Sequence, residues 1–159
     1  MADTLSHIDA SGNAVMVDVS AKDVTARIAI AKGRVLMTAE TARLIARHGH
    51  KKGDVLAIAQ LAGIMAAKKT SDLIPLCHPL PLDAVEVKLA LADDGDAVDI
   101  IATCKTSGRT GVEMEALTAV SVTALTIFDM CKAVDKTMRL TDIRVVYKDG
   151  GKSGTFQAD

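Results

Sequence analysis

Aromatic residues are almost missing from this chain: it has no Trp, one Tyr and two Phe. That scarcity excludes a base-stacking platform for single-stranded nucleic acid, which relies on exposed aromatic faces. It also means that any core must be aliphatic. Cysteine is sparse too, and Cys77, Cys104 and Cys131 are odd in number, far apart and free of any CxxC spacing. Neither a disulfide framework nor a zinc site follows from such a pattern. No sign of charge dominates: 19 Lys and Arg face 20 Asp and Glu, for a formal net charge of −1. A global basic footprint for DNA or RNA is thereby excluded, and no nucleic-acid partner is expected. Apolar runs are interrupted by charge before the length of about 18 residues that a membrane span needs. Met1 to Ala14 lacks the basic flank and apolar stretch of a secretory signal. The expected compartment is the cytoplasm, with no membrane partner.

What is abundant is aliphatic. Hydrophobic residues make up 49% of the 159, and the mean hydropathy of +0.25 is high for a monomer in water. Part of this apolar surface is expected to be covered by a second copy of the chain. The length fits one domain, 1–159. Its first fifteen or so residues are polar and without periodicity, and are read as a mobile arm. Met16–Ser20 (MVDVS) is short and extended. Thr25–Met37 alternates as a strand, with Ile28, Ile30, Val35 and Leu36 as inward candidates and Gly33 as the place for a bulge. Thr38 suits the cap of a helix over Ala39–His48, with Leu44 and Ile45 inward, and Gly49 would stop it. Asp54 suits the cap of a second helix that carries Val55, Ile58, Leu61, Ala62 and Met65 at helical spacing and places Lys68 and Lys69 in its last turn.

All three prolines fall between Pro75 and Pro81 in the string SDLIPLCHPLP. Proline fixes φ and restricts its predecessor, so this loop is stiff and extended, and it holds Cys77 and His78 in place. Val85 to Leu91 and Val98 to Ala102 alternate around an Asp93–Asp96 turn, which predicts a β-hairpin. A long helix is predicted from Val112 to Lys136, and a last strand from Arg139 to Lys148 through Leu140, Ile143, Val145 and Tyr147. The order β-α-α-β-β-α-β predicts an α+β sandwich of ferredoxin-like type, with an antiparallel sheet and its helices on one face.

Several segments offer chemistry. The long helix has Glu113 and Glu115 at its start and Asp129 and Lys132 near its end, with no charge from Ala116 to Phe128. Glu115 and Asp129, fourteen positions apart, return to within roughly 40° of one face but lie about 21 Å apart along the axis. They cannot meet on one small-molecule contact; they suit two ends of an extended ligand or two sites of an oligomer. The ordinary reading is an i,i+3 ion pair and an acidic first turn. His78 in the stiff loop suits proton transfer, although a lone histidine is more often structural. Cys77 beside it has no partner spacing for a nucleophile. The turn RHGHKKGD (47–54) reads either as a solvated linker or as a phosphate cradle ahead of a helix N-terminus. The tail GGKSG (150–154) is not a P-loop, because Val146 stands where the first glycine is needed and too little chain follows for a helix.

Two strings decide between these readings. KKGDVLAIAQLAGIMAAKKTSDLIPLCHPLPLDAVEV (51–87) and GRTGVEMEALTAVSVTALTIFDMCKAVDK (108–136) resemble the signature blocks of the MoaC family, as do MVDVS and GGKSG at the ends. The resemblance covers nearly the whole chain. It implies a ferredoxin-like fold and a homohexamer built as a trimer of dimers, with active sites between subunits. It also implies a lyase of molybdenum-cofactor biosynthesis. The substrate would be 3′,8-cyclo-7,8-dihydro-GTP, and the products cyclic pyranopterin monophosphate and diphosphate. No cofactor is required, and Mg²⁺ is left open as a companion of the triphosphate.

By matching strings, Asp129 and Lys132 correspond to a catalytic aspartate and lysine, and Lys52 to a second functional lysine. Leu76, Cys77 and His78, with Met114 and Glu115, correspond to substrate-binding stretches; Glu113, Arg27, Lys148 and Lys152 join them. Lys52 and Lys132 would donate protons, and Asp129 would orient Lys132 or accept one. His78 and the tail lysines would hold the triphosphate, and Glu113 or Glu115 the guanine-derived ring edge. Two alternatives stand beside this reading: a non-catalytic guanine-nucleotide-binding oligomeric module, and an assembly protein whose Ala-rich helices serve only association.

Overall fold

A computed structural model describes residues 4–47 and 54–159. Among them, four long strands and one short one form a single antiparallel sheet. β1 is Thr25–Leu36, β2 Leu82–Leu91, β3 Ala97–Gly108, β4 Arg139–Asp149 and β5 Phe156–Gln157. The spatial order is β2-β3-β1-β4-β5. The helices are α1 (Ala39–Arg47), α2 (Val55–Ala67), the single turn α3 (Thr70–Leu73) and α4 (Glu113–Cys131). β1 and β2 flank β3, and β3 and β4 flank β1, so α2 and α4 each cross over one strand. This is the split βαβ arrangement of the ferredoxin-like fold.

The core is as aliphatic as the composition requires. Ala29, Ala31 and Val35 of β1 and Val98, Ile100, Ala102 and Cys104 of β3 are fully buried against Ala116, Ala119, Val120 and Ile127 of α4. Period-two alternation therefore holds in β1, with Ala29, Ala31, Gly33 and Val35 inward, so that of the expected inward residues Val35 is buried. Ile28, Ile30 and Leu36, expected inside, are only half-buried, and Ala29 and Ala31, each following an isoleucine, join the core. Gly33 does interrupt the ladder: the register with β4 slips between Lys32 and Arg34. A Cβ there would lie 2.5 Å from Val120 Cγ1.

Helix α2 shows the same inversion. Asp54 caps it, accepting from the amides of Leu56 (2.9 Å) and Ala57 (3.4 Å). Its buried residues are Ala59, Gly63, Ala66 and Ala67, whereas Ile58, Leu61 and Met65 face outward. Gly63 is required because a Cβ would collide with the Thr123 hydroxyl and the Ala119 carbonyl of α4. Small residues bring the two helices together, and the large apolar ones are left on the outside. Lys68 and Lys69 lie just past the end of α2, not in its last turn.

α4 is long and apolar enough to suit a membrane by length and composition. Here it is the central helix over the sheet, with its hydroxyls turned back onto its own carbonyls: Ser121 to Leu117 at 2.8 Å and Thr123 to Ala119 at 2.7 Å. It ends at Cys131, five residues before the expected Lys136. Asp135 stops it. This carboxylate, 4% exposed, accepts from the Thr38 amide (2.9 Å), the Thr41 hydroxyl (3.1 Å), and the amide (2.9 Å) and hydroxyl (2.7 Å) of Thr137. It thereby ties the end of α4 to the start of α1. Strand β5, pairing Phe156 with Lys148 and Gln157 with Tyr147, has no counterpart in the sequence pattern.

Candidate active site

Cys77 of the stiff proline loop and Glu115 at the start of α4 are 38 residues apart in sequence, yet they meet. α2 runs antiparallel to α4: Gly63 packs on Thr123 and Ala119, and the chain leaving α2 reaches Cys77 beside Glu115. The Thr106 hydroxyl donates to the Pro81 carbonyl at 2.6 Å, and the Cys77 amide to the Ile74 carbonyl at 3.1 Å, which fixes the loop at both ends. A cleft of about 690 Å³ opens between these parts, and Leu76, Cys77, His78, Glu113, Met114 and Glu115 all line it. Six sequence-predicted residues thus share one wall.

A second cleft of about 420 Å³ holds Arg27, Lys148 and Lys152. Both clefts are lined by Lys22, Thr110, Gly111 and Glu113, so they form adjoining halves of one surface depression. Lys148 Nζ pairs with Glu113 Oε1 at 2.5 Å. Arg27 donates from Nε to Gly108 O (2.9 Å) and from Nη2 to Arg109 O (3.1 Å), which leaves Nη1 without one of these backbone acceptors. The tail wraps this guanidinium closely. Gly151, at φ +77°, could not carry a Cβ without striking it. A glycine pair at this point therefore shapes the basic half, although the segment is no P-loop.

The electrostatics differ between the halves. Glu115 is 3% exposed, and burial, with Glu113 nearby, raises its carboxyl above the ordinary range. Its Oε1 lies 4.0 Å from Cys77 Sγ. Burial, Glu115 and Glu113 push the Cys77 thiol up, so it remains a thiol at neutral pH and is a poor nucleophile. Cys104, buried below, is pushed up to about 12 by burial and Glu115. His78 Nε2 donates to the Val17 carbonyl at 2.7 Å. That donor is engaged by the backbone of the N-terminal segment.

Asp129 and Lys132 are not in this cleft. They pair at 2.7 Å on the exposed far end of α4, about 21 Å from Glu115 by helical rise. Lys52 lies outside the described residues; Asp54, two positions later, caps the end of α2 that approaches the Asp129 end of α4. Sequence reasoning missed Lys22, which lines both halves, and Ser6 and His7, which line the larger one. Lys22 stands two residues after MVDVS, and that string was the available signal.

Residues 76–78 and 113–115, which meet here, belong to the two long strings that carry the sequence resemblance. The model of the MoaC family matches residues 16–151. The cyclic pyranopterin monophosphate synthase of Rhodospirillum rubrum is 66% identical over 157 residues, spanning 99% of this chain and 95% of its own. The enzyme of that name from Dinoroseobacter shibae is 65% identical over 155 residues (98% of each chain). The one from Streptomyces griseus subsp. griseus is 61% identical over 153 residues, 96% of this chain and 85% of its own. Identity at this level over nearly the full length places the chain in one family with these enzymes: it belongs to the MoaC family.

Proposed function

We propose that this protein is a cyclic pyranopterin monophosphate synthase, a phosphorus–oxygen lyase acting on 3′,8-cyclo-7,8-dihydro-GTP in molybdenum-cofactor biosynthesis. The observation that carries the reading is the convergence of 76–78 and 113–115 on one cleft, in a chain so similar to enzymes of that name. Making a cyclic monophosphate from a triphosphate while releasing diphosphate requires an internal hydroxyl to attack the α-phosphorus. A base must take the hydroxyl proton, and cations must hold the departing diphosphate. Arg27, Lys148, Lys152 and Lys22 supply a cationic half-cleft for the phosphates. Glu115 and Glu113 supply acceptors for the N–H edge of the guanine-derived ring. Fixed cations at a developing charge contribute more than solvent does, because they need no reorganisation. This chemistry is acid–base in kind and needs no redox cofactor, and any Mg²⁺ would arrive as the triphosphate's companion.

Proton transfer is assigned to Asp129, Lys132 and Lys52. One chain cannot deliver Asp129 to the cleft, so the site is completed by a second copy. A two-fold axis across the outer face of α2 and α4 would lay two α4 helices antiparallel and bring Asp129 of one copy to Glu115 of the other. The exposed Ile58, Leu61, Met65 and Leu125 on these helices supply an apolar contact for it. We extend this pairing to a hexamer of three such dimers. Three free cysteines suit a reducing cytoplasm.

The test is to supply enzymatically prepared 3′,8-cyclo-7,8-dihydro-GTP and to measure cyclic pyranopterin monophosphate together with diphosphate. Formation of both in equal amounts is expected. Binding without turnover would instead favour the nucleotide-binding module, and absence of both would leave only the fold.

A further inference from the structure

The N-terminal segment is polar and apparently patternless in sequence, yet it folds onto the cleft. Asp9 accepts from the amides of Ser11 (2.9 Å) and Asn13 (2.8 Å), and the Asp9 amide donates to Asn13 O at 2.9 Å. The Val15 amide donates to His7 O at 2.9 Å, and Ile8 bridges Ala14. The result is a tight hairpin from His7 to Val15, whose near end places Ser6 and His7 on the wall shared with Cys77, His78 and Glu115. Val17 and Val19, just beyond the hairpin, line that cleft as well.

Two imidazoles grip this segment. His7 Nδ1 donates to Val15 O at 3.3 Å, and His78 Nε2 donates to Val17 O at 2.7 Å. Alternate carbonyls of one extended stretch are therefore held by one histidine from the hairpin and one from the proline loop. Little else holds it. Leu5 is 77% exposed, and Ile8, Val15 and Met16 are exposed too, so apolar burial contributes little to its docking. Segments with few apolar contacts and mostly solvent-exposed hydrogen bonds are those that open locally at low cost.

We propose that the His7–Val15 hairpin is the lid of the substrate cleft, with His7 as a ligand contact and His78 as the latch that positions the lid through Val17. Nδ1 donates to Val15, and in that tautomer the His7 ring offers Nε2 as an acceptor. It therefore matches an N–H or O–H donor of the bound molecule, in keeping with the donor-rich guanine-derived ring of the proposed substrate. His78 acts through the backbone of the lid as a positioning residue. This inference rests on the functional reading above; it adds His7 to that same site and gives His78 a positioning role.

Amide exchange and kinetics on the full-length protein test it together. Saturating 3′,8-cyclo-7,8-dihydro-GTP should slow exchange across residues 7–17 in the wild type. His78→Ala should speed exchange there about tenfold without ligand, and His78→Gln, whose amide can still donate to Val17 O, should restore protection. His7→Ala should raise KM up to about tenfold with kcat little changed, the scale of one lost neutral hydrogen bond, and His7→Gln should recover most of that loss. A wild-type enzyme that turns over, with an unaltered KM in His7→Ala or an exchange rate at 7–17 indifferent to ligand and to His78→Ala, overturns the lid while leaving the function intact. A KM effect that His7→Gln does not relieve also overturns the contact role. Failure of the wild type to turn over at all overturns the functional reading, and the lid falls with it.

Discussion

The two ends of α4 are built differently. At its start, Glu115 is buried, Glu113 is paired with Lys148, and a stiff loop presses Cys77 against them in a formed cleft. At its end, Asp129 and Lys132 make an exposed i,i+3 pair with nothing from the rest of the described chain over it. An exposed pair of this kind adds little to stability. The first end lines a cleft formed within one chain. The second presents its ionisable groups on an exposed surface, outside both clefts described above.

The largest effect expected from breaking this contrast is at the open end. Asp129→Asn should lower kcat about a thousandfold, the range for removing a positioned proton-transfer group, and leave thermal stability within about 0.5 kcal/mol, as for other exposed sites. Steady-state kinetics and a melting curve check both halves of the statement. Next, Leu61→Asp should dissolve the proposed contact between copies: light scattering should report a smaller species, and turnover should fall in step with loss of the assembled form, although Leu61 touches neither cluster.

Asp135 gives a more moderate effect, on stability. Its four hydrogen bonds hold the carboxyl down at about 2, with the Thr38 amide as the largest cause and the Thr137 hydroxyl next. A carboxyl depressed in the folded state contributes stability that is fully present above its ordinary value near 4 and is lost as pH falls from about 4 to about 2. Asp135→Asn should cost about 1–3 kcal/mol at pH 7 and flatten the acid limb of the unfolding profile in that window. Chemical denaturation at pH 7 and pH 3 measures both. The smallest effect is expected at Cys77, whose raised thiol argues against a nucleophile. Cys77→Ser should change kcat less than tenfold, a factor equal to about 1.4 kcal/mol.

The sequence made the fold legible where local pattern and tertiary need coincide. The β2–β3 hairpin, the Asp54 cap and the bulge at Gly33 were all readable, because each follows from turn chemistry, capping or a missing side chain. The inward faces of β1 and α2 were not, because apolar size points the wrong way. Ala29 and Ala31 are buried in β1 while Ile28 and Ile30 beside them are not, and Gly63 sits where α2 meets Thr123 and Ala119 of α4. The end of α4 was misjudged because its stop signal is Asp135, whose partners Thr38 and Thr41 lie nearly a hundred residues away. At the site, periodicity placed Glu115 and Asp129 correctly as too distant to meet. The cleft itself emerged from the resemblance of whole strings. His7, Ser6 and Lys22 stayed hidden because a polar segment with no period gives no sign of what it covers.

Two variants that each disable a different end test the central claim, that the ends of α4 from two copies form one site. Asp129→Asn and Glu115→Gln, each nearly inactive alone, would be co-expressed in equal amounts and assayed for cyclic pyranopterin monophosphate. In a two-fold dimer, half the assemblies are mixed, and in each mixed dimer one site carries both substitutions and the other neither. The account predicts recovery of about a quarter of wild-type activity on this symmetry. No recovery above the two variants measured separately, in samples shown to contain mixed assemblies, would mean that one chain supplies both ends, and would contradict it.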